Sequence, residues 1–377
     1  MRILKILRNP ELKGILALVA IAGVLGVVLL ALTGRIKTLF GIPLTLRKPL
    51  TDSIAFVSDR SGHPDIWVMK PDGSGQKALT NDEYDDLDPT VSPDGHTIVF
   101  VSKRAVGKSQ LYAMDADGTH LHRLTELTGT KSHPRFSPDG NQILFLCAEE
   151  VWSIGANGEN PERVLPTLQE AGVGRASARG FSYRWAANSP EGDLIAAVQH
   201  LEDREVAVWM RPGDEMPRAV ADASGGRTVV LSGEAVGAAW APGSKRLAVT
   251  MTDRSGNGVM AIADLDTSSV RPVLSGPALG SPSWSPDGSS LVLEALRRTG
   301  PAEYAPTGLM LTDLSAGTAR PAAKGETRQP IWSPDGRRII YVLGKDIYAY
   351  DVQTGRSANL TKGRGSNSDP APSPAAK

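Results

Sequence analysis

The stretch Asp88-Pro89-Thr90-Val91-Ser92-Pro93-Asp94-Gly95 decides the fold, because its second half recurs along the chain. Ser-Pro-Asp-Gly occurs again at residues 137–140, 285–288 and 333–336, and related forms occur at 189–192, 241–244 and 373–374. The prolines of these units lie 40 to 52 residues apart. A regular period of this length is typical of the four-stranded blades of a β-propeller.

Each repeat has the same strand pattern around its turn. A short segment that ends in a large apolar residue precedes the turn, and a β-rich run follows it. The apolar residues are Val91, Phe136, Trp185, Trp240, Trp284 and Trp332, which we interpret as core packing between blades. Second strands are predicted at 54–58, 98–102, 143–147, 194–199, 247–251, 291–296 and 339–343. Third strands are predicted at 65–69, 110–114, 150–154, 206–210, 259–263, 309–312 and 346–350. The count predicts an all-β, seven-bladed propeller.

The two ends of the chain predict how the ring closes. The first repeat begins at its second strand, whereas the tail from Asp369 to Pro374 matches the start of the repeat from Asp88 to Pro93. We therefore expect the C-terminal tail to supply the missing innermost strand. Pairing both ends in one blade removes an open sheet edge.

An apolar segment precedes the propeller. Residues 14–34 carry no charge and lie between Lys13 and Arg35, and at ~1.5 Å per residue they can span a ~30 Å hydrocarbon layer. The sequence predicts a basic tail (1–13), a transmembrane helix (14–34), a linker (35–51) and the propeller (52–377). The apolar run is longer than the ~7 to 15 residues of a signal peptide, which favours a retained signal anchor over a cleaved one. Four basic residues stand on each side of the span, so charge does not decide its orientation.

The composition argues against two classes of function. Lys plus Arg and Asp plus Glu both number 41, so no net positive charge attracts nucleic acid. Cys147 is the single cysteine, and we interpret it as a small apolar strand residue rather than a metal ligand. No cofactor and no metal site is predicted.

The first repeat contains a characteristic combination of segments, Ile54-Ala55-Phe56-Val57-Ser58-Asp59-Arg60-Ser61-Gly62, Asp65-Ile66-Trp67-Val68-Met69, Leu79-Thr80 and Ser92-Pro93-Asp94-Gly95. In these residues the repeats resemble the WD-type repeat of the TolB family. The resemblance implies a propeller, and it favours a periplasmic or cell-surface location because relatives with such repeats are usually exported. The chain departs from TolB itself, which has six blades and a separate α/β domain before them. Hydrolase relatives carry a Gly-x-Ser-x-Gly motif, which this sequence lacks.

A candidate binding face follows from the topology. Long insertions at 165–182, 221–236 and 297–308 fall in second-to-third or fourth-to-first connections, which share one face of an up-and-down propeller. Because the chain enters on the opposite face, we expect the insertions to point away from the membrane. The candidate binding residues are Asp82, Glu83, Asp85, Asp86, Asp88, Arg104, His133, Tyr183, Arg297, Arg298 and Gln329. The acidic loop among them could bind calcium, but solvated charge is the favoured interpretation.

Three functions fit these features. The favoured one is a non-catalytic, membrane-anchored, extracytoplasmic module that binds a protein, a peptide or a cell-envelope component. The second is a propeller enzyme of the lactonase, lyase or hydrolase kind with a polar channel site. The first residues of the innermost strands are too varied to assign a catalytic site; they are Asp88, His133, Tyr183, Gly237, Ser281, Gln329 and Asp369. The third is an assembly platform that faces the cytoplasm.

Overall fold

The computed structural model describes residues 38–39, 42–43, 48–105, 108–165, 182–201, 204–211, 214, 218–219, 233–243, 245–253, 257–267, 269–300 and 303–374. The chain divides into two units, Met1–Lys48 and Pro49–Lys377. In the first unit, β1 (Thr38–Leu39) pairs with β2 (Ile42–Pro43) in antiparallel fashion. The predicted membrane helix, residues 14–34, lies outside the described residues. Within the described part of the chain, no helix is long and apolar enough to cross a membrane.

The second unit is a ring of seven antiparallel four-stranded sheets, as the repeat count predicts. The four strands of each blade run in order from the innermost strand outward. Blades 1 to 3 are β6 (Asp86–Val91), β7 (Thr97–Ser102), β8 (Gln110–Asp115) and β9 (His122–Arg123); β10 (Lys131–Phe136), β11 (Gln142–Cys147), β12 (Glu150–Gly155) and β13 (Glu162–Arg163); β14 (Ser182–Asn188), β15 (Ile195–Leu201), β16 (Arg204–Met210) and β17 (Arg218–Ala219).

Blades 4 to 6 continue the same order, and blade 7 draws its strands from both ends of the unit. They are β18 (Gly233–Trp240), β19 (Arg246–Asp253), β20 (Asn257–Asp264) and β21 (Ser269–Pro277); β22 (Leu279–Trp284), β23 (Ser290–Arg298), β24 (Tyr304–Asp313) and β25 (Thr318–Lys324); β26 (Thr327–Trp332), β27 (Arg338–Leu343), β28 (Asp346–Asp351) and β29 (Arg356–Asn359); β30 (Asn367–Pro372), β3 (Ile54–Ser58), β4 (Asp65–Met69) and β5 (Lys77–Ala78).

The hydrophobic core lies between neighbouring blades. Second strands such as β3 are buried along their whole length, because each sheet is covered on both faces by the next blade in the ring. In one cluster, Val99 and Leu111 of blade 1 pack with Ile143 and Phe145 of blade 2. This arrangement explains why second strands are continuous apolar runs rather than alternating ones.

The Ser-Pro-Asp-Gly turns are built by side chain to backbone hydrogen bonds. In blade 1, the Ser92 hydroxyl donates to Asp94 Oδ1 at 2.6 Å and accepts the amide of Thr97 at 2.9 Å. Gly95 adopts a φ of 74°, which a side-chain-bearing residue rarely adopts. Ser137, Ser285 and Ser333 make the same pair of contacts in blades 2, 5 and 6. The repeated motif therefore supplies the hydrogen bonds and the glycine that form the turn between the first and second strands.

Three tryptophans link consecutive blades through their indole N–H groups. Trp240 donates to the carbonyl of Ala187 at 3.0 Å, and Trp284 donates to that of Ala239 at 2.9 Å. Trp332 continues the series at 3.1 Å from Ser283. The predicted equivalence of Trp185 is wrong, because β14 continues three residues past it to Asn188.

The predicted ring closure is confirmed. β30 forms the innermost strand of blade 7, with Asn367 opposite Ser58 and Pro372 opposite Ile54. Just before β3, the amide of Leu50 donates to the carbonyl of Gly95, in the Ser-Pro-Asp-Gly turn of the neighbouring blade 1, at 2.7 Å. The chain therefore enters and leaves the propeller on the face that carries the Ser-Pro-Asp-Gly turns.

The predicted insertion at 297–308 is an extended hairpin rather than a loop. β23 and β24 remain paired as far as Arg298 and Tyr304. The other two predicted insertions connect fourth to first strands and lie largely outside the described residues, although residues 233–236 belong to β18.

Candidate functional site

The innermost strands of all seven blades surround a central cavity of about 690 Å³. We call this cavity the channel. Tryptophan, proline and small apolar residues form much of its wall. Its chemically active side chains are Asp88, His133, Arg135, Arg184, Glu294, Gln329 and Asp369.

β-Bulges bring four of these residues to the channel wall. The register of the innermost strand shifts at Asp88, His133, Gln329 and Asp369, and their φ angles are 49°, 53°, 53° and 50°. Each bulge residue precedes a proline, whose missing N–H suits a point where ladder pairing is interrupted. The sequence x-Pro in the first strands of blades 1, 2, 6 and 7 therefore turns one side chain of each of these blades towards the channel.

Bulge residues of adjacent blades are hydrogen-bonded to each other around the channel. The amide of His133 donates to Asp88 Oδ2 at 3.1 Å, which joins blade 2 to blade 1. The amide of Asp369 donates to Gln329 Oε1 at 3.0 Å, and Gln329 Nε2 donates back to Asp369 Oδ1 at 2.5 Å. These contacts hold the polar side chains in defined positions.

Glu294 reaches the channel from a second strand. Its Oε1 accepts the amide of Gln329 at 2.7 Å, which joins blade 5 to blade 6. Gly280 makes this possible, because a Cβ there would lie 2.3 Å from Glu294 Oε2. Burial raises the pKa of Glu294, although the Gln329 amide and the Arg328 charge oppose the shift.

Asp369 and Asp88 form an acidic pair on neighbouring blades. Burial and the nearby Asp88 carboxylate raise the pKa of Asp369, while hydrogen bonds from Ser368 and Gln329 and the charge of His133 act in the opposite direction. Negative charge is therefore concentrated on the wall formed by blades 7 and 1.

Arg135 faces the channel from blade 2. Its side chain is open to the channel interior, but the surrounding blades shield it from bulk water, and this desolvation lowers its pKa while the Asp88 charge acts to raise it. Within the part of the chain that the structure describes, its guanidinium has no hydrogen bond and no ion pair. Arg184 also lines the channel and has an interaction of its own.

The predicted acidic loop forms an ion network away from the channel. Arg104 Nη2 contacts Asp82 Oδ2 at 2.9 Å and Asp86 Oδ2 at 2.6 Å, and Lys103 pairs with Asp85 at 2.8 Å. Asp86 is fully buried, so the interpretation of the loop as solvated charge is wrong for this residue. Burial raises its pKa to about 6, against the opposing effects of Ser102, Arg104 and Thr80.

Asp82 and Asp86 also belong to a group whose geometry could hold a metal ion. Carboxylate oxygens of Asp65, Asp82 and Asp86 lie within 4.8 Å of one another. Because Arg104 contacts two of these three carboxylates, its guanidinium already supplies a cation to the cluster. The geometry therefore supports a structural role for the network.

The structure brings together three of the predicted binding residues, Asp88, His133 and Gln329, in the channel. Tyr183 is 4% exposed and packs between blades 2 and 3, where burial raises its pKa to about 12. Glu83 is exposed in the acidic loop, and Arg297 and Arg298 lie at the exposed end of the β23–β24 hairpin.

Sequence reasoning did not single out Arg135 or Glu294. Glu294 had a visible signal, because it interrupts the apolar run of a second strand. Arg135 had a weaker one, its position directly after the proline of a first strand.

Comparison with known proteins supports the same fold. Residues 46–164 match the model of the TolB beta propeller domain, and residues 285–369 match that of the dipeptidyl peptidase IV N-terminal region. No curated protein matches the sequence significantly. The predicted resemblance to TolB-type repeats is confirmed.

Similar solved structures include both a TolB protein and enzymes. TolB from Acinetobacter baumannii has a TM-score of 0.51 and 18% identity, over 88% of this chain and 68% of TolB. An oligogalacturonate lyase in complex with manganese has a TM-score of 0.57 and 11% identity, over 82% of this chain and 84% of the lyase. A prolyl endopeptidase has a TM-score of 0.57 and 16% identity, over 82% of this chain and 49% of that enzyme. At these identities the similarity is one of fold.

Proposed function

We propose that this chain, a seven-bladed propeller with TolB-type repeats, is a membrane-anchored, non-catalytic module that binds a protein or peptide partner at its central channel. The observation that carries this proposal is the hydrogen bonding of the channel carboxylates. Asp88, Glu294 and Asp369 each accept a bond that fixes a neighbouring blade. Groups held in this way form a rigid polar surface, which favours recognition because little ordering is needed on binding.

The proposed anchor is residues 14–34, and the proposed location is outside the cytoplasm. The apolar sequence of the segment supports the anchor. We propose that the mouth of the channel opposite the Ser-Pro-Asp-Gly turns, at which the chain enters the propeller, is the one open to a partner. A partner in the periplasm or at the cell surface could then reach it.

Two measurements test this proposal. Replacing His133 with p-benzoylphenylalanine keeps its backbone amide, and irradiation of cells should then crosslink the partner. The same photoprobe at Arg356, on the outermost strand of blade 6, serves as the matched control. Absence of an adduct at position 133, or equal adducts at both positions, would contradict partner binding at the channel.

The location is tested by reporters fused after residue 377. Alkaline phosphatase should be active there and a cytoplasmic fluorescent reporter should be dark. The reverse result would support the alternative of a platform that faces the cytoplasm.

One observation favours an enzyme as the second candidate. His133 lies near Asp88 and Asp369 in the channel, and these side-chain types perform acid–base chemistry. The test is turnover of an oligogalacturonide, a sugar lactone or a peptide ester. If the chain shows such an activity and both His133→Ala and Asp88→Asn lose it, an enzyme function would replace the binding proposal.

A further inference from the structure

Arg135 differs from Arg60, the arginine at the closure of the ring, in having no hydrogen-bond partner among the described residues. Arg60 donates hydrogen bonds to Ser58, Gln76 and Asn367. Among the described residues, Arg135 has no such acceptor, although a guanidinium carries five N–H donors and this side chain is open to the interior of the channel. Its donors are directed into a cavity large enough for a ligand.

Asp88 balances part of this charge without saturating the donors. The two side chains interact electrostatically, yet no ion pair joins them. Asp88 Oδ2 instead accepts the amide of His133. The bulge of blade 2 therefore holds the Asp88 carboxylate in a structural contact and leaves the guanidinium available.

We propose that Arg135 binds a carboxylate group of the ligand inside the channel. This inference rests on the proposed function and names the chemistry that the channel recognises. A planar guanidinium with free donors pairs with a carboxylate in bidentate fashion, which supplies both energy and orientation.

The rest of the channel defines what accompanies the carboxylate. Glu294, in blade 5, presents acceptor oxygens across the ring from blade 2, and Asp369, in blade 7, presents them two blades away from it. A ligand that also carries hydroxyl, amide or ammonium donors satisfies them. Two sources share this chemistry, the carboxylate of a peptide and that of an acidic sugar.

Paired probes separate the two sources. Trialanine and trialanine amide form the peptide pair, and D-galacturonate and D-galactose form the sugar pair. Binding to the purified full-length chain is measured by saturation-transfer NMR. We expect at least one acid to bind about tenfold more tightly than its neutral counterpart, and the pair that discriminates identifies the source.

Variants of Arg135 complete the test. Arg135→Gln should lower the affinity for that acid at least tenfold, and Arg135→Lys should give an intermediate loss because the charge remains without the fork. Arg356→Gln, on the outermost strand of blade 6, should bind as the wild type does. The unfolding temperature of Arg135→Gln should be unchanged or higher, since an enclosed, unpaired charge is removed.

The inference is overturned if neither acid binds more tightly than its neutral counterpart, or if Arg135→Gln retains wild-type affinity. A crosslinked partner at His133 that Arg135→Gln does not weaken would keep the proposed function and refute the role of Arg135. Absence of both the adduct and the acid preference in the wild-type chain would refute the two together.

Discussion

Arg60 donates a hydrogen bond from Nη2 to Oδ1 of Asn367 at 2.9 Å, although 307 residues separate them in the sequence. The same guanidinium bonds Ser58 through Nε and lies 4.5 Å from the ring of Trp67. The two strand segments that close the ring are thus joined by side chains as well as by their ladder.

Blade 1 contains the same device within one continuous segment. Arg104 Nε donates to Ser102 Oγ at 2.9 Å, and Nη2 reaches Asp86 at the start of the innermost strand. Arg104 also lies 5.1 Å from the ring of Tyr112. Blade 7, which closes the ring, therefore has the same arginine contacts as blade 1, with Asn367 in the position of Asp86.

Removing the closing strand should destabilise the whole ring. A chain that ends after residue 365 lacks β30 and leaves the edge of β3 unpaired, so its unfolding temperature should fall by several degrees. A chain that ends after residue 374 is the control and should unfold like the full chain. Equal melting curves for the two truncations would show that β30 does not close the ring in solution.

Arg60→Lys tests the side-chain part of the closure. A lysine cannot bond Ser58, Gln76 and Asn367 together, so we expect a loss of about 1–3 kcal/mol in the free energy of unfolding. Arg356→Lys, on an exposed outer strand, should change it by less than about 0.5 kcal/mol. Urea titrations followed by tryptophan fluorescence measure both, and similar values for the two variants would count against the closure role of Arg60.

The fold followed from sequence because its determinants are local and repeated. The hydrogen bonds of a turn such as that from Ser92 to Gly95 join residues that are close in sequence. The seven copies of the motif or its related forms therefore predict the number of blades. The tail was recognisable because it repeats the pattern around Asp88. Trp185 was misassigned for the same reason, since its distance from the next turn differs by three residues from that of Trp240.

The channel was only partly predictable. Asp88, His133 and Gln329 were recognised as first-strand residues, but their contacts join blades about 40 to 45 residues apart. The position of the Glu294 side chain depends on the absence of a side chain at Gly280, and no local sequence pattern predicts this contact. Contacts between blades decide the site, and one sequence does not display them.

The indole hydrogen bonds between blades should contribute measurably to stability. Trp284→Phe removes the bond to the carbonyl of Ala239 and leaves that acceptor without its donor, at an expected cost of about 1–3 kcal/mol. Trp185→Phe removes a ring of the same size from a position without this bond and should cost less. Chemical denaturation measures the free energy of unfolding of both variants. An equal or larger loss for Trp185→Phe would contradict a stabilising role of the indole hydrogen bonds between blades.

Asp86 should make stability depend on pH between about 4 and 6. Its folded pKa is about 6, whereas an unfolded aspartate titrates near 3.9. Because the folded state then binds the extra proton in this window, the free energy of unfolding should rise as the pH falls from 7 towards 4. The contribution is at most about 3 kcal/mol, since one pKa unit corresponds to ~1.4 kcal/mol.

Asp86→Asn isolates this contribution. The variant lacks the titrating group, so its stability should change less between pH 7 and pH 5 than that of the wild type. The comparison uses the difference between the two pH values, which cancels the constant effect of leaving Arg104 with one partner fewer. Parallel pH profiles for the two proteins would show that Asp86 keeps an ordinary pKa.

Gly280→Ala tests how Glu294 reaches the channel. The new Cβ would lie 2.3 Å from Glu294 Oε2 and 2.7 Å from its Cβ, so the glutamate must move and release the amide of Gln329. We expect a loss of about 1–3 kcal/mol in the free energy of unfolding and faster hydrogen exchange at the Gln329 amide. Gly276→Ala is the matched control, because its Cβ would meet no atom within 4 Å. Unchanged exchange at Gln329 in Gly280→Ala would mean that Glu294 does not hold blade 6, and the rigid channel wall would lose one of its supports.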